Sequence, residues 1–382
     1  MSDPAATNTE AKPQVREERQ PAREGADEVA PGVLRIQLPI SLPGLGHVNC
    51  YVMEDKRGIA LVDPGLPGLG TWRQLKKRLA TAGFNIDRVH TVIVTHSHPD
   101  HFGQARRFQR KVGAEIVTHQ RFRTFLDPRD ENDDWDSITV FEGSLAGAGD
   151  GGAEPADPGL LPARINGAMM GPLTKATPWG GKPFELPLAR RMRWMAMKLA
   201  SGQFVVTPQP TNRVEDADVL ELGGREWVSV HTPGHTQDHL CLWDPANKVM
   251  ISGDHVLPTI TPHISGMGIT ADPLADFFRS LDRMQTFGDA TVLPAHGLEF
   301  HDLHGRAEDI KAHHRERLEV LRKAGDTLGR GTVNQFMKAL FQERAWGPMA
   351  ESETYAHLEH LRILKQARVS TDGELLRYEI VD

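Results

Sequence analysis

Residues 91–103 read TVIVTHSHPDHFG. A run of mostly β-branched apolar residues ends in His96, His98, Asp100 and His101. Such a run marks a buried strand, and so a sheet that other layers must cover. The strand is expected to end at Pro99, because proline cannot donate to a ladder. Alternate strand residues share a face. His96 and His98 therefore point to one place, and the turn aims Asp100 and His101 at a neighbouring one. Neutral imidazole suits Zn2+, and carboxylate tolerates it. Four such groups can supply part of two adjacent metal sites. The plain alternative is a polar turn of four ordinary surface residues, and the density of ligand types at one strand end argues against it.

The flanking sequence supports layering. VLRIQLPI, HVNCYVME and GIALVDPG read as short strands separated by turns. In Thr71–Ala82, Trp72, Leu75 and Leu79 share one face and Gly83 follows, which predicts an amphipathic helix with a glycine stop. Phe102–Val112 reads as helix and AEIVTH as the next strand. Alternation of strand and helix indicates an α/β sandwich. At 382 residues with 39% hydrophobic side chains, the chain can build a large core and a smaller appendage. Cys50 and Cys241 are its only cysteines, which excludes a disulfide framework and zinc held by thiolates. A net charge of −7 gives no general reason to expect nucleic acid as a partner. Residues 1–29 are rich in Ala, Glu, Pro and Arg, lack the apolar core of a signal peptide, and read as a disordered tail. No run is long and apolar enough to span a bilayer, so a cytoplasmic protein is expected.

Residues from about 120 to 215 read as an insert with a Gly/Ala/Pro-rich stretch. Inside it, LPLARRMRWMAMKLA places Leu188, Met192, Met195 and Leu199 at helical spacing beside Arg190, Arg191, Arg193 and Lys198. A packed helix with a solvated basic side is the first reading, and a lid over an anionic or acyl substrate the second. Strands resume with DVLEL, REWVSVHT, HLCLWD, KVMISGD and TVLPAHG. From His301 three helix candidates and a hairpin, turning at Asp372-Gly373, match a small winged-helix module over 301–382.

The His96-x-His98-x-Asp100-His101 pattern resembles the signature of the metallo-β-lactamase-fold superfamily. The other elements of that family occur in order: Asp63 in LVDPG, His235 in HTPGHTQDH, Asp254 in ISGDH and His296 in LPAHG. The resemblance implies a four-layer αβ/βα sandwich over 30–300, followed by the winged-helix-like α+β unit. It also implies two Zn2+ per chain, with iron or manganese as alternatives. His96, His98 and His235 would bind the first metal, and Asp100, His101 and His296 the second. Asp254 would bridge them, and Asp63 would orient ligands from behind. His47, His231, His239, His255, His263, His301 and His304 lie near the motifs, and His313, His314, His357 and His360 lie in the C-terminal helices. Structural or supporting roles are expected for all of these.

Asp254 stands where β-lactam-hydrolysing members carry Cys or His, which argues against antibiotic hydrolysis. His98 stands where flavodiiron oxygen reductases carry Glu, which disfavours redox iron of that kind. The resemblance therefore implies a hydrolase in which a metal-bridging hydroxide attacks a thioester, ester or lactone carbonyl, with Asp100 and Asp254 as the catalytic carboxylates. The expected partner is a small acyl substrate. The second reading is an endoribonuclease or other phosphodiesterase of the winged-helix group. Nearly balanced charge over 301–382 speaks against it. A mononuclear iron sulfur dioxygenase is the third. Winged-helix appendages often contribute dimer contacts in this superfamily, so a homodimer is an expectation the sequence leaves open.

Overall fold

The computed structural model describes residues 16–42, 44–124, 177–181, 207–268 and 270–381. Seven strands form the first sheet in sequence order: β1 (Ala26–Ala30), β2 (Val33–Leu42), β3 (Leu45–Asp55), β4 (Gly58–Val62), β5 (Val89–Ile93), β6 (Glu115–His119) and β7 (Asn212–Val214). Neighbours are antiparallel from β1 to β4 and parallel from β4 to β7. The second sheet has the order β12-β11-β10-β9-β8, from β8 (Val219–Leu222), β9 (Arg225–His231), β10 (Leu240–Asp244), β11 (Val249–Gly253) and β12 (Thr291–Pro294). Only β11 and β12 pair in parallel there.

Parallel neighbours require crossovers, and among the described residues helices supply three of the four. Helix α1 (Leu69–Thr81) joins β4 to β5, α2 (Pro99–Phe102) and α3 (Ala105–Val112) join β5 to β6, and α4 (Pro273–Met284) joins β11 to β12. The two-residue period of each strand then sorts side chains into layers. In β4, Ala60 and Val62 meet Leu242 and Ile251 between the sheets, while Ile59 and Leu61 pack outward with Trp72, Leu75 and Leu79 of α1. In β10, Leu240 and Leu242 face inward, whereas Cys241 faces Phe277 and Leu281 of α4. Helix, sheet, sheet and helix are thus stacked as four layers. Each buried Leu or Phe contributes about 1.5–3 kcal/mol.

The C-terminal unit comprises α5 (Leu303–Leu328), α6 (Val333–Leu340), α7 (Pro348–Ile363) and a sheet of order β13-β15-β14, from β13 (Arg330–Thr332), β14 (Ala367–Asp372) and β15 (Leu375–Ile380). Ile310, Leu321, Phe336, Leu358 and Tyr378 share one core with Met250 and Val292 of the second sheet and with Phe277 of α4. The unit is fused to the outer helical layer of the sandwich.

Several expectations need correction. Residues 16–29 are not a disordered tail: Glu17–Arg19 form a 3-10 turn, Glu18 is buried, and β1 pairs with β2. The insert ends before 215, because β7 completes the first sheet beside β6. At its other described piece, Trp179 is buried against Tyr355 and its carbonyl accepts from Leu376 N at 3.0 Å. The hairpin turns one residue later than expected. Asp372 pairs with Leu375, which leaves Gly373 and Glu374 as the turn, with Gly373 at φ +59°. The basic helix with Arg190, Arg191, Arg193 and Lys198 lies outside the described residues. No helix among the described residues is long and apolar enough to cross a membrane.

Candidate metal centre

Strand β5 stops at Ile93, well short of Pro99. Thr95 is the reason. Its N–H bonds Asp63 Oδ1 at 2.9 Å, and its carbonyl accepts from Leu240 N of the second sheet at 2.8 Å. The backbone therefore leaves its own ladder and bridges the two sheets. His96 and His98 lie in this bridging turn rather than on a strand face, and Pro99 opens α2 at its first turn, where its missing N–H costs nothing.

Asp63 follows β4, His235 lies between β9 and β10, Asp254 follows β11 and His296 follows β12. All these strands end at the same edge of the sandwich. There His96, His98, His235 and Asp254 form one group, and Asp100, His101 and His296 a second, with ligand atoms of each group within 4.8 Å of one another. His98 Nδ1 lies 2.9 Å from His96 Nε2 and 3.1 Å from His235 Nε2. Asp254 reaches both groups: Oδ2 lies 3.6 Å from His235 Nε2 and from His101 Nε2, and Oδ1 lies 3.3 Å from His296 Nε2. Asp100 Oδ2 lies 3.6 Å from both His101 Nε2 and His296 Nε2. The structure thus brings every expected ligand together, with Asp63 behind them.

Counting protons shows what the site is built to hold. Asp63 is acceptor-only when ionised, so Thr95 Oγ1 donates to its Oδ2 at 2.7 Å and His101 Nδ1–H at 2.8 Å. Thr95 Oγ1 has then spent its proton and accepts from His96 Nδ1–H at 3.0 Å. His235 Nδ1–H donates to the carbonyl of His263 at 2.7 Å, and His296 Nδ1–H to that of His47 at 2.8 Å. In four histidines the outer nitrogen carries a hydrogen, which leaves Nε2 as the atom turned inward. His101 Nε2, His296 Nε2 and Asp254 Oδ1 are buried with no hydrogen-bond partner among the described residues. Converging lone pairs around a buried carboxylate call for a cation.

The electrostatics agree. Burial and neighbouring imidazoles push His96 and His98 well below the usual histidine range, leaving them neutral as ligands must be. Burial acts the same way on His101 and His296, but nearby carboxylates (Asp100, Asp63 and Asp254 around His101, Asp254 and Asp100 around His296) outweigh it and raise both. Burial alone would raise Asp254. His296 and His101 more than offset this and hold it well below the carboxylate range.

Three supports were not assigned individually from the sequence. His239 Nε2 accepts from Asp254 N–H at 3.0 Å, and its Nδ1 bonds Thr232 Oγ1 at 2.7 Å. His47 Nδ1 donates to Gln20 O at 2.9 Å while its backbone carbonyl holds His296. His263 acts through its own carbonyl. The His235-x-x-x-His239 spacing was a usable signal for the first, whereas backbone carbonyls carry none. His231 stacks on His119 at 3.9 Å, and His255 packs on Phe277.

Two helix-covered sheets with clustered His and Asp at their shared edge define an αββα fold of the metal-binding class. Residues 43–296 match the metallo-beta-lactamase superfamily, and the chain belongs to it. Among solved structures it is similar to a metallo-beta-lactamase family protein, TTHA1429, of Thermus thermophilus, with TM-score 0.65 and 26% identity, over 92% of this chain and all of that one. A beta-lactamase domain protein of Burkholderia ambifaria shares the fold at TM-score 0.68 and 23% identity, over 95% and 96% of the two chains. The probable metallo-hydrolase YqjP of Bacillus subtilis is 22% identical over 86% of this chain and 92% of its own length. An atrochrysone carboxyl ACP thioesterase, dmxR1, of Cryptosporiopsis is 33% identical, but over only 28% of this chain and 32% of that protein.

Proposed function

We propose that the chain is a metal-dependent hydrolase of acyl thioesters, with esters and lactones as related substrates. The observation that carries this is the fixed tautomer set: four imidazoles held from behind so that bare nitrogens converge on Asp254. His96, His98 and His235 would hold one ion, Asp100, His101 and His296 a second, with Asp254 between. Zinc in such a place polarises a carbonyl and ionises water near neutral pH. The chain's own residues do the rest. Asp100 and Asp254 orient the attacking water, whose proton passes to solvent. The water oxygen adds to the carbonyl carbon, the carbon–sulfur bond breaks, and the sulfur leaves as thiolate. A thiol pKa of about 8.5 means this departure needs little help from an acid. The thioesterase name of the Cryptosporiopsis relative supports the substrate class over the short stretch the two share.

Elemental analysis of purified protein, paired with His96→Ala and a panel of acyl thioesters, tests the reading. Close to two zinc ions per chain and turnover abolished in the variant would support it. One iron per chain with no thioester hydrolysed would sink it.

A further inference from the structure

The second buried polar cluster lies in the C-terminal unit. His314, Glu353 and His357 bring ligand-type atoms within 4.8 Å of one another. Their hydrogen bonds form without a cation, and His314 Nε2 alone among their ring nitrogens is left buried with no hydrogen-bond partner among the described residues. His357 Nδ1–H donates to the carbonyl of Glu353 at 2.7 Å, so its Nε2 accepts from His314 Nδ1–H at 3.0 Å. The Glu353 carboxylate receives Arg317 on one oxygen and His263 Nδ1–H at 3.3 Å on the other. One anion faces one cation, and a divalent ion would leave excess buried charge. Burial alone would raise the Glu353 pKa, but His263 and Arg317 more than offset it and bring it to about 2. Glu353 is thus an anion held on both oxygens within this network.

That network leads to the metal centre. His263 is the residue whose carbonyl accepts from His235 Nδ1–H at 2.7 Å. Its segment, between β11 and α4, is clamped onto α7 at three points. Glu353 holds the His263 ring, Ser352 Oγ accepts from Gly266 N at 3.1 Å, and Ser352 Oγ also meets Ser265 Oγ at 3.3 Å. The approach is close enough to require glycine at 266. A Cβ there would stand 2.7 Å from the Ser352 carbonyl oxygen and 2.6 Å from the Tyr355 ring.

We infer that Glu353 and Ser352 of the C-terminal unit are positioning residues for the metal centre: they hold the His263 carbonyl where it fixes the tautomer and direction of His235. The C-terminal helices are then part of the site's scaffold, acting through one backbone carbonyl, and the distance they act over is two hydrogen bonds. Groups behind a metal-ligating histidine typically change metal affinity by about 10- to 100-fold. Glu353 stands one bond further out, so about 10-fold is expected.

The inference rests on reading His235 as a metal ligand, and zinc retention tests it without assuming any substrate. The zinc-loaded full-length chain and the variants Glu353→Gln, Gly266→Ala and Glu359→Gln would be challenged with a chromophoric chelator, and each variant melted with and without metal. Glu359 is the control. It lies on the same helix, and its carboxylate bonds Tyr378 Oη at 2.5 Å and Arg362 at 2.8–3.0 Å, both away from the His263 segment. Glu353→Gln and Gly266→Ala should release zinc about 10-fold faster than the parent, while Glu359→Gln lowers the melting temperature and leaves release unchanged. Equal release from all four proteins would overturn the inference and leave the metal reading standing. Release that simply follows melting temperature, with Glu359→Gln as leaky as Glu353→Gln, would overturn it as well. A parent chain that binds no zinc would sink both readings.

Discussion

Asp63 Oδ2 accepts the Nδ1 hydrogen of His101 at 2.8 Å while Asp63 itself sits at φ +55°. The left-handed backbone costs most residues about 1–2 kcal/mol, and Asp and Asn tolerate it best. The carboxylate also ties Thr95 by its N–H and its hydroxyl, and so sets the turn carrying His96. Asp63→Asn keeps the backbone fit and removes the charge. It should weaken metal retention by about 10- to 100-fold and lower metal-free stability by about 1–3 kcal/mol, because an NH2 replaces one of two accepting oxygens. Asp63→Ala should lose both. Chelator competition and urea unfolding of the metal-free proteins separate the two effects, and a tightly held metal in Asp63→Asn would contradict the role given to this carboxylate.

Gly234 has a different duty. It adopts φ +139°, and a Cβ there would stand 2.4 Å from Phe277 Cβ and 2.7 Å from Phe277 N. Truncating Phe277 cannot relieve a clash with its backbone. Gly234→Ala should therefore push the His235 turn away from α4 and cost about 2–5 kcal/mol from strain and overpacking together. A calorimetric melt indistinguishable from that of the parent would show that α4 yields more easily than its packing indicates.

How much of this was legible depends on where each interaction keeps its signal. The ligands could be read because the fold concentrates them at strand ends, as His-x-His-x-Asp-His and three later motifs. Strand β4 was legible as an unbroken apolar run and β5 as a largely β-branched one, since both are covered on their two faces. Helix α4 was missed although Asp272-Pro273 and the spacing of Leu274, Phe277, Leu281 and Met284 mark a capped amphipathic helix. The strand β13 has three residues and no pattern of its own. It forms because β15 offers a free edge. The holds on His235 and His296 run through the carbonyls of His263 and His47, and every residue has a carbonyl, so only the folded chain selects which ones matter.

Acid should destabilise the protein in a way that singles out His119. It is buried against His231, and burial first, then that ring, lowers its pKa to about 3. His357 is lowered to about 4, chiefly by burial. The unfolded chain takes up these protons near pH ~6.5 and the folded chain does not. The contribution of these two histidines is then flat above about pH 6.5 and falls as pH drops toward the folded values, by about 1.4 kcal/mol per pH unit for each. Glu353, at about 2, adds a further loss below about pH 4.5, where the unfolded carboxylate protonates first. In metal-free protein, His119→Asn keeps an acceptor for Arg121 N and removes the titration. Between about pH 6.5 and 4.5 its urea-derived stability should decline less steeply, by about 1.4 kcal/mol per unit. Parallel profiles would show that His119 protonates without cost.

The N-terminal segment supplies the last test, because it reaches the second ligand group by a route the sequence hides. Gln20 O accepts from His47 Nδ1–H at 2.9 Å, and His47 Nε2 accepts from Gly297 N at 3.3 Å, so the ring is pinned between the segment and the turn that carries His296. A Cβ on Gly46 would meet Gln20 O at 2.3 Å, which shows how closely the two backbones pass. Thr259 bonds the buried Glu18 from the other side. Deleting residues 1–20 removes the Gln20 carbonyl and the Glu18 contact together, whereas deleting 1–15 leaves both in place. The longer deletion should release metal about 10-fold faster and melt lower, and the shorter one should match the full chain. His47→Ala in the full chain keeps the backbone carbonyl that holds His296 and loses only the ring's two bonds. Its release rate should fall between those of the two deletions. If all three hold metal as tightly as the parent, the segment merely covers the site, and His296 is positioned by β12 alone.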